Sequence, residues 1–144
     1  MVLKRSVITT RLQELDTVLQ ELAQYRHITA VELQNDLSRR WIIERGLIAA
    51  ASLILDMANH ILSGHFGQYP DTYEESLTGL ETEKVIPTVL YQELKGLGDF
   101  RNVLVHLYQE IDPQQVWESY QKGMTVFPRF AQAILVWLDS LEDT

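Results

Sequence analysis

The sequence predicts an all-α fold, an antiparallel bundle of four to five helices in a single domain over residues 1–144. Three observations carry that expectation. Apolar residues recur at three- and four-residue steps almost throughout, the period of a helix with one buried stripe. No stretch alternates apolar and polar as a half-buried strand does. Gly, Pro and capping residues fall at a few places only, so the helices are long and their connections short. At 144 residues the chain is large enough to bury a core without cross-links.

Val7, Ile8, Leu12, Leu15, Val18, Leu19 and Leu22 trace one face of a first helix over about residues 3–25. His27-Ile28 make a short break. Thr29-Ala30-Val31-Glu32 then reads as a capping box, a hydroxyl and a carboxylate satisfying two orphan amides. Leu33, Leu37, Trp41, Ile48, Ser52, Leu55 and Asn59 continue it as one long helix to Ser63, stopped by Gly64. Residues 64–72 form a loop, and Asp71 or Thr72 caps a short helix over about 74–80. A connector over 79–87 ends at Pro87, suited to the first turn of a helix over about 87–110. Gly96 and Gly98 inside it imply close packing or a kink. Asp112-Pro113 opens a last helix over about 113–141, which Pro128 should kink or break.

Composition excludes several classes of function. With no cysteine there is no disulfide scaffold and no thiol chemistry, in keeping with a reducing cytoplasm. The start, Met1-Val2-Leu3-Lys4-Arg5, does not resemble a secretory leader. The apolar-rich stretch Gly46–Met57 is interrupted by Ser52 and ends near Asp56, too short to span a membrane. These features predict a soluble cytoplasmic protein. No Glu-x-x-His or His-x3-His array suggests a metal site, and no Gly-rich loop suggests a phosphate cradle, so neither metal nor cofactor is expected.

Residues 101–108 read Arg-Asn-Val-Leu-Val-His-Leu-Tyr, and this octapeptide carries the chemistry. Arg101 holds its charge at any working pH and can fork onto a phosphate. His106 can exchange a proton near neutrality. That pair suffices for metal-free RNA cleavage, where a 2′-hydroxyl loses a proton and the strained phosphate is held. On an ideal helix, residues five apart lie about 140° apart and residues four apart about 40° apart. Asn102 and His106 therefore share a face, while Arg101 points away from His106. Three arrangements reconcile them: the helix loosens near its end, Arg101 reaches round, or two copies of the chain complete one cleft.

The spacing Arg101-x4-His106-x-Tyr108, with Asn102 after the arginine, resembles the signature of HEPN-domain ribonucleases, and within them the HepT toxin branch. Trp41-Ile42-Ile43-Glu44-Arg45, then Asp56-Met57-Ala58-Asn59-His60-Ile61, then Pro70 with Tyr73-Glu74, are similar to HepT landmarks in the same order. Tyr108-x-x-Ile111-Asp112 leads into the last helix, again as in that branch. The likeness spans residues 3–140, and residue 107 departs from it, being Leu where relatives often carry a polar or acidic side chain.

The resemblance implies a HEPN-like bundle that forms a homodimer with its sites facing each other. It implies a metal-independent endoribonuclease toxin whose partners are RNA and an MNT-type nucleotidyltransferase antitoxin. In that scheme Arg101, Asn102 and His106 are catalytic. Tyr108 is the residue that receives AMP and so silences the enzyme. Net charge is −8, with twelve Lys and Arg against twenty Asp and Glu, which opposes broad electrostatic binding of RNA. Arg39, Arg40, Arg45, Lys95 and Arg101 are candidates for a local cluster, and the acidity equally suits a basic protein partner.

Other readings stay open on the residues themselves. A non-catalytic HEPN-like module that binds a nucleotidyltransferase explains the acidic balance. A purely structural motif predicts a buried His106. Tyr108 alone reads as an amphipathic tyrosine at a helix end. His60 reads as a packed bundle or interface histidine, Glu74 and Glu75 as solvated surface, and Asp36 with Arg39 and Arg40 as a helix-surface ion pair.

Overall fold

A computed structural model describes residues 3–106 and 111–142. All the secondary structure among them is helical: α1 (Arg5–Ala23), α2 (Ala30–Asn35), α3 (Leu37–Phe66), α4 (Tyr73–Thr82), α5 (Thr88–Leu94), α6 (Leu97–Val105) and α7 (Pro113–Glu142). The all-α bundle is the fold class read from the sequence. Two of the five helices read as continuous are each divided, which makes seven segments.

The first division falls at Asp36, whose φ of −125° and ψ of 92° take it out of the helix. Its carboxylate accepts from the Arg39 backbone N–H at 3.0 Å and from Arg39 Nε at 2.8 Å. The sequence reading saw only the ion pair. The cap is the stronger reason for an aspartate here, because it satisfies an orphan amide at the start of α3. Those hydrogen bonds hold the Asp36 carboxyl below the usual range. Arg40 turns instead to Glu44, at 3.8 Å. At α2 the Glu32 amide donates to Thr29 Oγ1 as expected, but the Glu32 carboxylate accepts from the Thr29 hydroxyl rather than from its backbone.

Gly64 does not stop α3. The helix runs on to Phe66, and Gly67, at φ 64°, supplies the left-handed cap while Gln68 N–H donates back to Leu62 O at 2.9 Å. Pro87 precedes α5 as its cap residue instead of entering the first turn. The helix read over 87–110 is interrupted at Lys95 and Gly96, the latter at φ 88°. Pro128 neither breaks nor ends α7. It forgoes one backbone bond, but Val126, Phe127 and Phe130 beside it are buried, and this packing holds the helix through the proline.

α3 is the axis of the molecule and packs against α1, α2, α4, α6 and α7. Ile43, Leu47, Ile54, Met57, Ile61 and Leu62 on it are buried, with Ile8 and Leu15 of α1 and Tyr120 and Phe130 of α7. By length and hydropathy α3 passes as a membrane span, although Gly46–Met57 alone does not; half of its most apolar window is buried inside the protein. α7 pins the connector after α1: Trp117 Nε1 donates to Ile28 O at 2.9 Å, and the buried Tyr120 hydroxyl donates to Leu22 O.

Tyr120→Phe should cost about 1 kcal/mol in urea unfolding, the net value of one buried hydrogen bond. Glu44, 5% exposed, gives a pH signature. Burial raises its pKa above the ordinary 4.5, against the opposing pull of Arg40. The folded state therefore binds this proton more tightly than the unfolded chain. The resulting stabilisation is full below pH 4.5 and is lost as pH rises through the folded pKa. The stability of wild type minus that of Glu44→Gln should grow as pH falls from neutral towards 4.5, measured by urea melts across that range.

Candidate functional site

α6 is nine residues long and begins without a side-chain cap of its own. The amides at its start are satisfied from another helix. Glu74, in the first turn of α4, accepts from Gly96 N–H through Oε1 and from Gly98 N–H through Oε2, both at 2.8 Å. Two glycines permit this clamp for different reasons. Gly96 sits at φ 88°, where other residues are strained. A Cβ on Gly98 would lie 2.7 Å from Tyr73 Cβ and 2.9 Å from Glu74 Oε2. The pair expected to mark close packing or a kink does both: Gly98 packs closely on Tyr73, and Gly96 turns the chain so that a carboxylate closes on α6. Glu74 is half-buried structure, not solvated surface.

This clamp brings Arg101 over α4 and α3. Its guanidinium carbon stands 5.7 Å from the centre of the Tyr73 ring. Its Nε donates to Ser52 Oγ at 3.1 Å, and its Nη1 to Asn102 Oδ1 at 3.3 Å. All three partners are neutral. Arg5, Arg11, Arg39, Arg40 and Arg129, in contrast, each pair with a carboxylate. Arg101 is therefore fixed in place with no carboxylate against it among the described residues, the state a phosphate-binding arginine requires.

Asn102 is exposed and leans on Arg101. His106 is exposed at the end of α6, at φ −94° and ψ 47°, and its backbone N–H still bonds to Asn102 O at 3.0 Å. The helix does loosen at its end, as one of the three arrangements required. Among the described residues no hydrogen bond joins the His106 ring to Arg101 or Asn102. Exposure of His106 removes the ground for a buried, purely structural histidine. Leu107 and Tyr108 lie outside the described residues.

Beside these groups opens a cleft of about 520 Å³, lined in part by Asn59, Asp71, Tyr73, Glu74, Asp99 and Asn102. Asn59 Oδ1 accepts from the buried Ser76 hydroxyl. His60 Nε2 accepts from the Lys4 backbone N–H at 3.4 Å, a structural role. Ser52, Tyr73 and Glu74 are the site residues that sequence reasoning missed. A hydroxyl interrupting the apolar run of the central helix was the available signal for Ser52. Nothing local marks Glu74 as a clamp, because its partners lie 22 and 24 residues on.

Residues 15–134 match the model of the family described as ribonuclease HepT-like. The chain belongs to that family. A tRNA nuclease HepT from Aphanizomenon flos-aquae (strain 2012/KM1/D3) is 26% identical over 137 residues, covering 95% of this chain and 93% of the relative. The HepT-like fold is shared with a tri-AMPylated Shewanella oneidensis HEPN toxin solved in complex with MNT antitoxin, at a TM-score of 0.81 and 22% identity, covering 92% of this chain and 99% of that one. It is shared also with YutE, a cytosolic protein of unknown function from Bacillus subtilis, at a TM-score of 0.81 and 24% identity over 97% of this chain and 94% of that one.

If the clamp sets α6, Gly98→Ala should destabilise by on the order of 1–3 kcal/mol, the range for overpacking. Glu74→Gln, which keeps one acceptor of two, should speed amide hydrogen exchange at Gly96 and Gly98 while leaving the α1 and α7 amides as in wild type. Equal exchange in both proteins would remove Glu74 from any role in holding α6.

Proposed function

We propose that this HepT-like protein is the toxin of a toxin–antitoxin pair, a metal-independent endoribonuclease silenced by transfer of AMP to Tyr108. The observation that carries the reading is the uncancelled charge of Arg101, braced by Ser52 and Tyr73 at the edge of an open cleft, five residues before an exposed histidine. The reaction is transesterification. His106 takes the proton from a 2′-hydroxyl, and the freed oxygen bonds to phosphorus. The bond from phosphorus to the 5′-oxygen breaks, and that oxygen leaves with a proton from a general acid. Arg101 neutralises the charge that builds on the phosphoryl oxygens. Asn102 keeps the guanidinium oriented.

The general acid is the His106 of a second copy. Leu37, Trp41 and Ile42 of α3 and Val103 and Val105 of α6 are exposed apolar side chains on the two helices that carry Ser52 and the motif. A homodimer through these helices would cover them and bring a second motif to the cleft. The name of the Aphanizomenon relative makes tRNA the first substrate to test. The tri-AMPylated relative, held by its MNT antitoxin, supports the partner and the modification. An adenylyl group on Tyr108, two residues past His106 in the sequence, would add a negative phosphate that competes with RNA for Arg101.

The test is cleavage of tRNA and of a mixed RNA pool in EDTA, by protein whose intact mass shows no adduct. Wild type should cleave. His106→Ala should lose about 10²–10⁴-fold in rate, the usual contribution of one acid–base group, and Arg101→Lys should also lose activity because the planar fork is gone. Incubation with an MNT-type nucleotidyltransferase and ATP should add AMP to wild type and not to Tyr108→Phe. Unmodified wild type that leaves all RNA intact would instead favour the non-catalytic binding module.

A further inference from the structure

The cleft beside Arg101 does not end at Asn59. A second cavity of about 390 Å³ shares Asn59 and Pro70 with the first and continues past His60 and Gln68 to Tyr69. Together they make one trough between α3, the loop 67–72, α4 and α6. Its lining is chemically one-sided. Among the described residues no lysine or arginine lines either cavity, whereas Asp71, Glu74 and Asp99 line the first. Glu74 is spent on Gly96 and Gly98, but neither Asp71 nor Asp99 pairs with a cation among the described residues. A phosphodiester backbone cannot lie in such a trough.

The polar groups that remain suit base edges. Asn59 and Asn102 have their oxygens engaged by Ser76 and Arg101, which leaves their amide N–H groups to donate. Gln68 donates to Glu83, which leaves its oxygen to accept. The Asp99 carboxylate can only accept. At the far end Tyr69 is 70% exposed, a large ring with nothing over it. Donors, acceptors and a free aromatic face in one trough are what unpaired bases require.

We propose that this trough is a base-reading subsite for single-stranded RNA, in which bases next to the cut lie between Asn102 and Tyr69 with their phosphates outside. The inference rests on the ribonuclease reading and names how its substrate is held. Arg101, at the trough's edge, is the place where the backbone meets charge. Stacking and amide contacts then supply the affinity that a chain of net charge −8 cannot draw from phosphates. Asp99 favours bases presenting an exocyclic amine, so uracil is the least welcome at its position.

The subsite is tested by fluorescence anisotropy with short 2′-O-methyl homopolymers of A, C, G and U, which lack the nucleophile and cannot be cut. Wild type should bind them with a slope of log K against log salt no steeper than about −1.5, the release expected from one or two phosphates. Tyr69→Ala, at an exposed position, should weaken binding about tenfold, the loss of one stacked base. Asp99→Asn should narrow the gap between U and the other homopolymers. In cleavage assays the Tyr69→Ala loss should fall on KM rather than kcat.

Cleavage by wild type with both variants binding as it does would overturn the subsite and leave the ribonuclease reading standing. Binding with the stated dependence on Tyr69, salt and base, without cleavage, supports the subsite and removes the ribonuclease. Absence of binding at low salt overturns the subsite. So does a steep salt slope, or a Tyr69→Ala protein that loses only its capture of the nucleotidyltransferase.

Discussion

A carboxylate on one helix holding the first amides of another decides where the guanidinium lies. α6 is too short to be stable alone, since isolated helices need about 12–15 residues to be even marginal in water. It has no cap in its own sequence, and its first residues cross a glycine turn. Glu74 supplies what is missing with both oxygens, and Tyr73, the residue before it, lies under Arg101. One dipeptide at the start of α4 thus sets both the beginning of α6 and the direction of its arginine. α3 provides the rigid floor: residues buried on both sides of Ser52 fix the hydroxyl that receives Arg101 Nε. Preorganisation of this kind gives a transition-state contact its value, because nothing needs to be ordered when charge develops.

Much of this was legible in the sequence, and what was not shares one cause. The apolar period of α1, the cap at Thr29 and the opening of α7 at Pro113 depend on neighbours within a turn or two, and each reads as it folds. The breaks at Asp36 and Gly96 were missed because each sits inside an unbroken helical pattern. Asp36 fits a helix-surface ion pair as well as a cap, and only the turn of the chain against α3 chooses the cap. Pro128 errs the other way, with a local breaker overruled by buried phenylalanines on both sides. The octapeptide 101–108 marks a candidate site by residue types alone. Its supports are not marked in this way, because Ser52 and Arg101 are 49 residues apart and meet only through the bundle.

Charge is the point at which composition and the proposed chemistry pull apart. A count over the whole chain weighs every arginine equally, yet most of those described are neutralised where they stand. Arg5, Arg129 and Arg39 staple helices to one another, and their fields are short-ranged at physiological salt. Arg101 differs because a hydroxyl, an amide and a ring hold it, none of which cancels it. Net charge therefore says little about a cation held as Arg101 is, and a great deal about the approach to it.

That approach is repulsive. RNA nearing an acidic protein gains no steering, so encounters are slow and nonspecific complexes short-lived. In the proposed nuclease this would be selective: double-stranded regions, which present phosphates outward, would be turned away. Unpaired bases would offer compensating contacts by entering the proposed trough between Asn102 and Tyr69. An adenylyl group on Tyr108 would meet the same terms, since it carries the two things the proposed subsite and Arg101 would receive, a base and a phosphate. On this view substrate and silencing group compete for the same side chains, and the acidity of the chain is what makes either depend on a specific fit.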